Sequence, residues 1–88
     1  MAFEVMEIQP TPNPNAVKFI LDKTVAEDPA SFFNAQAALG HPLAERLFEV
    51  PGVSSLLLLG DFVTVNKRPE NRWDPITRQV REILKNAD

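Results

Sequence analysis

The hydrophobic pattern is most informative in the stretch LFEVPGVSSLLLLGDFVTVNK, residues 47–67. The Pro51-Gly52 pair predicts the end of a helix, because proline cannot continue one and glycine supplies the backbone angles needed to leave it. The Gly60-Asp61 pair predicts a two-residue type II′ turn, which requires glycine at its first central position. The stretch therefore predicts a helix end followed by a β-hairpin.

The predicted turn also sets how the two hairpin strands pair. Leu59 would lie opposite Phe62, and Leu57 opposite Thr64. Side chains alternate between the two faces of a sheet, so the hairpin divides into two sets. One face carries Leu57, Leu59, Phe62 and Thr64, and the other carries Leu56, Leu58, Val63 and Val65. Both faces are apolar near the turn. A sheet that packs against helices on one face needs apolar side chains on that face only.

The rest of the chain predicts two further strands and two helical regions. Alternation favours strands at 3–8 and 17–21, joined by the proline-rich connector 11–15. A polar loop is predicted at 22–29 and a helix at 30–39. A better helix begins at His41-Pro42, with proline at its favoured first position. The last helix is predicted to begin with Asp74 as its cap and Pro75 at its first position.

This order, β-β-α-β-β-α, predicts an α+β two-layer sandwich. We expect a four-stranded antiparallel sheet with the helices on one face and the other face free. Leu57, Leu59 and Phe62 would then form part of an exposed patch, which commonly marks a contact surface. The alternative is that the region around Phe32 and Phe33 covers these residues and makes them ordinary core.

Composition narrows the class of protein. The 88 residues predict a single domain, residues 1–88. The net charge of −3 and the lack of a basic run argue against a nucleic-acid partner. The sequence has no cysteine, which excludes disulfides, thiolate metal sites and cysteine-held iron–sulfur clusters within these residues. No transmembrane helix or signal peptide is predicted, and we expect a cytoplasmic protein.

Patterns that indicate catalysis or metal binding are sparse, so we predict no enzyme, no catalytic or metal-ligand residue and no cofactor. We interpret the single histidine, His41, as a helix cap or turn residue. The carboxylates are scattered singly and form no known metal-ligand spacing. Asp61 is either a simple turn residue or a charged residue at the hairpin tip that helps to bind a partner. Trp73 either covers the end of the sheet or serves as a contact point.

Four segments resemble the N-terminal domain of Nfu/NifU-type iron–sulfur cluster scaffold proteins. They are TPNPNAVKF (11–19), HPLAERLFEVPGV (41–53), GDFVTVNK (60–67) and Trp73. The family pattern runs roughly TPNPNxxKF, SPLAxxLFxIPGV and xxDFITVTK, then a tryptophan and a closing helix. His41 stands where the family usually has serine, and Asn66 where it often has threonine. The resemblance implies an α+β two-layer domain and a role near iron–sulfur cluster assembly.

The resemblance has one large departure. In family members that carry clusters, a second domain with a CxxC motif holds the cluster, whereas this sequence has no cysteine. The resemblance is therefore to an N-terminal domain standing without its CxxC domain, and the scaffold function does not carry over to these residues. Iron binding is attached to the family as a whole, and no residue pattern in this sequence supports it.

Three functional hypotheses stay open. The first is a non-catalytic interaction module whose partner is a cluster-assembly or cluster-bearing protein. Its hypothetical contact residues are Leu57, Leu59, Asp61, Phe62, Thr64, Asn13, Asn15 and Trp73. The second is a protein that binds iron or handles clusters directly with ligands other than cysteine, of which only His41 and the carboxylates are present. The third is a homodimer in which the hairpin faces bury each other.

Overall fold

The computed structural model describes residues 3–87, so both ends of the predicted domain, residues 1 and 88, lie outside the described residues. Five strands and three helical elements follow one another in this range. They are β1 (Val5–Pro10), β2 (Ala16–Leu21), β3 (Ala26–Phe32), a 3-10 helix (Gln36–Ala38), α1 (Pro42–Phe48), β4 (Val53–Gly60), β5 (Phe62–Lys67) and α2 (Trp73–Lys85).

The strands form one antiparallel sheet in the order β1-β2-β5-β4-β3. The α+β class and the antiparallel sheet are confirmed. β1 starts two residues later than predicted and runs through Pro10. A proline is tolerated there because β1 is an edge strand, where one side of the backbone needs no ladder partner.

The sheet has five strands rather than the predicted four, and β3 is the addition. The polar loop at 22–29 and the helix at 30–39 are therefore wrong in part. β4 offers a free edge, on which Ala30 pairs with Leu58 and Phe32 with Leu56. This pairing with a distant strand outweighs the helical propensity of the alanine-rich segment. Only one helical turn remains after it, where Asn34 Oδ1 accepts a hydrogen bond from the Ala37 amide at 2.8 Å.

The β4–β5 hairpin has the predicted register. Leu59 pairs with Phe62, Leu58 with Val63 and Leu57 with Thr64. Gly60 has a φ of +57°, and no non-glycine residue between 3 and 87 has a positive φ. A type II′ turn needs a positive φ at its first central position only, so these angles agree with the predicted turn type.

Both helices pack on a single face of the sheet, as predicted. The hairpin residues on this core face are at most 2% exposed: Leu56, Leu58, Val63 and Val65. They form one buried cluster with Leu47 of α1 and with Ile76, Val80 and Leu84 of α2. The core-face side chains of β2, among them Phe19, complete this cluster. The opposite sheet face lies outside it.

The two helix starts differ in how well the sequence predicts them. His41 caps α1 as predicted, since its Nδ1 accepts a hydrogen bond from the Ala44 amide at 3.2 Å. The predicted cap of α2 is wrong: α2 already begins at Trp73, and Asp74 lies inside its first turn. Pro75 is compatible with this earlier start because the first amides of a helix have no intrahelical acceptor to lose.

Candidate functional site

The sheet face opposite the helices, here called the outer face, has an apolar half and a polar half. Strand pairing sets its side chains in rows across β2, β5 and β4. The row beside the hairpin turn is Ile20, Phe62 and Leu59, the next is Lys18, Thr64 and Leu57, and the third is Ala16, Asn66 and Ser55. The apolar side chains lie next to the turn, and Ile20, Leu57, Leu59 and Phe62 together are called the outer patch below.

The outer patch is partly accessible to solvent. Its four residues are half-buried, in contrast to the fully buried hairpin residues on the core face. The structure excludes the alternative that Phe32 and Phe33 cover it. Phe32 lies opposite Leu56 and packs against the core cluster on the helix side. Phe33 is 81% exposed and therefore covers nothing.

Polar residues border the outer patch on two sides. On the β1 side, Glu7 lies opposite Ile20, and Lys18 places its Nζ 4.3 Å from the centre of the Phe62 ring. Such a cation–π contact at a solvated site contributes roughly 0.5–1 kcal/mol and shields part of the ring. At the tip, Asp61 is exposed, and its backbone carbonyl accepts a hydrogen bond from the Leu21 amide.

Three other predicted contact residues, Asn13, Asn15 and Trp73, lie together in a second group. Lys67, which was not among the predicted contacts, joins them, and we call the four residues the connector cluster. The side-chain oxygen of Asn13 accepts a hydrogen bond from the Asn15 amide at 2.9 Å. Lys67 Nζ donates to Asn15 Oδ1 at 3.0 Å and lies 5.7 Å from the centre of the Trp73 ring. The indole N–H of Trp73 donates to the Pro14 carbonyl at 3.0 Å. These contacts tie the connector to both the sheet and α2.

The connector cluster and the outer patch lie at opposite ends of β5. Phe62 begins the strand and Lys67 ends it, a separation of roughly 17 Å at about 3.4 Å per residue. The predicted site residues therefore fall into two groups, and the connector does not border the apolar half of the outer face. Sequence reasoning also missed Ile20 and Lys18 as neighbours of the hairpin, since alternation within β2 gives their face but not the strand beside them.

A groove of about 630 Å³ lies outside both groups, between β1 and α2. Its lining mixes Phe3 and Val5 with acidic and basic side chains, among them Asp22, Arg78 and Arg81. Within residues 3–87, no three histidine or carboxylate side chains converge on a common point to hold a metal ion. The hypothesis that His41 and the carboxylates bind iron directly stays a prediction. None of the helices in the same range is long and apolar enough to cross a membrane.

Comparison with known proteins identifies relatives of this chain. The family model described as "Scaffold protein Nfu/NifU N terminal" matches residues 6–87. The human protein named "NFU1 iron-sulfur cluster scaffold homolog, mitochondrial" is 44% identical over 66 residues, which are 74% of this chain and 26% of that protein. A solution structure of a NifU-like protein from Saccharomyces cerevisiae superposes with a TM-score of 0.74 at 29% identity, covering 91% of this chain and 76% of that one.

The fold also occurs in a structure of similar length. The crystal structure of protein SAV1430 from Staphylococcus aureus has a TM-score of 0.77 at 20% identity and covers 93% of this chain and 99% of that chain. At this identity the likeness shows the fold alone. The curated relatives are longer proteins, of which the matched stretch makes up between 22% and 30%.

Proposed function

The chain belongs to the Nfu/NifU N-terminal domain family, and on this premise we propose that it is a non-catalytic interaction domain of iron–sulfur cluster assembly. In this proposal it binds a cluster-assembly or cluster-bearing protein through the outer patch. The observation that carries the proposal is the half-buried apolar half of the outer face, on β2 and the two hairpin strands, whose opposite faces form the centre of the core.

The outer patch is more apolar than the fold requires. In an antiparallel sheet with one solvated face, the solvated side chains are usually polar. Leu57, Leu59 and Phe62 break that alternation on β4 and β5. Full burial of such a side chain contributes about 1.5–3 kcal/mol relative to full exposure, so completing the burial of a half-buried one contributes on the order of 1 kcal/mol. A partner that covers the outer patch gains this term from each of its residues.

The patch is also held in place before binding. β4 and β5 are flanked by other strands on both sides, and their opposite faces are packed in the core. A contact surface on such strands loses little conformational entropy when a partner docks. Glu7, Lys18 and Asp61 supply charges at the border, where charges mainly set orientation and association rate.

The absence of cysteine limits what these residues contribute. Thiolates are the usual ligands of iron–sulfur clusters, and the 88 residues contain none. We therefore place the cluster ligands outside these 88 residues. The name of the human relative, an iron–sulfur cluster scaffold homolog, is what points to this class of partner.

The test is affinity capture from a lysate of the source cells, with captured proteins identified by mass spectrometry. The wild type is compared with the double variant Leu57→Ser/Phe62→Ser. Leu39→Ser is the matched control, because Leu39 is an exposed leucine outside the outer face. Each variant is first checked for a cooperative thermal transition, since only folded baits are informative.

We expect an iron–sulfur assembly or cluster-bearing protein to be retained by the wild type and by Leu39→Ser, and lost by the double variant. Equal retention by the double variant would remove the outer patch from the proposal. Capture of no protein of this class by the wild type would contradict the proposed function itself.

A further inference from the structure

Acidic side chains border the outer patch on two sides that are set by β1 and by the hairpin turn. On the β1 side, Glu7 lies opposite Ile20 and is exposed. At the tip of the hairpin, the exposed Asp61 directly precedes Phe62. A partner that covers the patch therefore meets a carboxylate at each of these borders.

The edge strand β3 supplies a third acidic border. Ala26 and Ala30 pair with the two neighbours of Leu59 on β4, so the stretch between them runs past Leu59. This stretch contains Glu27 and Asp28, and both are exposed. Three of the four sides of the outer patch therefore carry acids, and the fourth is the polar half of the outer face.

Positive charge beside the outer patch comes from Lys18. Among the five strands only β2 and β5 contain a cation, and that of β5, Lys67, is buried at the far end of the strand. The loop after β2 adds Lys23, but its Nζ lies 6.0 Å from the centre of the Phe3 ring, which packs against the core cluster on the helix side. Lys18 offsets one of the acids, and the border of the patch stays acidic.

The outer patch suits a helix better than an extended segment. Its strands β2, β5 and β4 are paired along both edges, so a partner docks on side chains alone. An extended segment laid over apolar side chains would bury its own N–H and C=O groups without hydrogen-bond partners, whereas a helix satisfies these groups internally. The patch spans three strands, roughly 10 Å at about 4.8 Å between neighbours, and a helix of about 10–12 Å diameter covers that width.

We propose that the outer patch binds an amphipathic helix of the partner, whose apolar stripe is flanked by lysine and arginine. The location of the contact rests on the proposed function, and the charges add the chemistry of the partner. Basic flanks oppose Glu7, Asp61 and the acids of β3, which speeds association and selects against acidic partners. Two copies of this chain docked through their outer faces would set acids against acids. The charges therefore favour a different protein over a second copy.

The test is an NMR titration with three synthetic amphipathic helices of about 18 residues, a length at which an isolated helix forms in water. All three carry the same leucine stripe at i, i+3, i+4 and i+7, and their other positions alternate alanine with lysine, glutamine or glutamate. Backbone amide shifts of 57–62 report binding at the outer patch. We expect the lysine peptide to bind at least about tenfold more tightly than the glutamate peptide at about 0.1 M salt. The difference should shrink towards about 1 M salt, where the Debye length falls to roughly 3 Å.

Two double variants locate the charges that matter. Glu7→Gln/Asp61→Asn neutralises two acids at the border, so it should weaken binding of the lysine peptide about threefold to tenfold and leave the glutamine peptide unchanged. Glu49→Gln/Glu70→Gln is the matched control, because it removes the same charge from two exposed acids outside the sheet. This control should bind the lysine peptide as the wild type does. All four positions are exposed, so neither variant is expected to lose its fold.

Equal binding of the three peptides at the outer patch overturns the inference about charge and leaves the proposed apolar contact standing. Full binding of the lysine peptide by Glu7→Gln/Asp61→Asn overturns it as well, and so does a lysine peptide that leaves the amides of 57–62 unshifted. The proposed function fails separately, when the capture experiment retains no iron–sulfur protein, because that result does not depend on the peptides.

Discussion

Replacing Gly52 by alanine tests how the chain leaves α1 and enters the sheet. Gly52 is buried and has a φ of +98°, a backbone conformation that side-chain-bearing residues rarely adopt. A Cβ atom added there would lie 2.6 Å from Asn71 Cγ and 2.8 Å from Asn71 Nδ2. Gly40 has a similar φ of +92°, but no atom lies within 4 Å of its Cβ position. The two glycines therefore separate backbone strain from steric overlap.

The expected losses of unfolding free energy follow from backbone strain and steric overlap. Gly40→Ala adds backbone strain alone, which is about 1–2 kcal/mol for an alanine at positive φ. Gly52→Ala adds overlap with the Asn71 side chain, and overpacking a filled site typically costs about 1–3 kcal/mol more. In a domain of this size 1 kcal/mol lowers Tm by roughly 4–8 °C, so Gly40→Ala should lower Tm by about 5–15 °C and Gly52→Ala by about twice that or more.

Urea unfolding followed by circular dichroism measures both losses, and a double-mutant cycle isolates the overlap. In an Asn71→Gly background no side chain opposes the new methyl group, so Gly52→Ala should cost about 1–3 kcal/mol less than in the wild type. Gly40→Ala should cost the same in both backgrounds. Equal losses at the two glycines, or a cycle without coupling, would refute the assignment of Asn71 as the obstacle.

Three further predictions concern the two sheet faces, the cap and the connector. Leu58→Ala, at a position with 0% exposure, should lower the unfolding free energy by about 2–5 kcal/mol, and Leu57→Ala by less than half of that in the same urea titration; equal losses would contradict the assigned faces. His41→Ala should cost about 0.5–2 kcal/mol in thermal unfolding, and His41→Asn should restore most of it. Trp73→Phe removes the hydrogen bond to Pro14, so we expect a loss of about 0.5–1.5 kcal/mol and faster amide exchange in the connector by NMR.

The hairpin and the helix stripes are predictable because their signals are local. A glycine at the first turn position and strict alternation on both sides determine the pairing of Leu59 with Phe62 and of all pairs up to Leu56 with Val65. β3 has no such signal. Its sequence, with two acids and Pro29, resembles a loop, and it becomes a strand because β4 has an unpaired edge. That edge depends on the order of strands in the sheet, which no local pattern contains.

The candidate site was predictable to the same extent. Alternation alone places Leu57, Leu59 and Phe62 on one face, and in the structure these side chains are only half-buried. The contribution of Ile20 needs the pairing of β2 with β5, and the remoteness of Trp73 needs the position of α2. Both depend on contacts between residues that are far apart in the sequence. The sequence therefore predicts the composition of the outer patch better than its borders.

In the proposed function, stability and partner binding place separate demands on the same two strands. The core needs Leu58 and Val63 on one face of the hairpin. On the other face, polar residues with a high strand propensity, such as threonine, would support the fold equally well. Thr64 meets that expectation, but Leu57 and Phe62, on the same face, do not. Solvated apolar side chains on a sheet raise the risk of aggregation, and Lys18 over the Phe62 ring limits it only in part. A local departure from what packing requires is expected at functional positions. Because the two demands fall on opposite faces, the proposal predicts that substitutions on the outer face change partner binding while the core retains its stability.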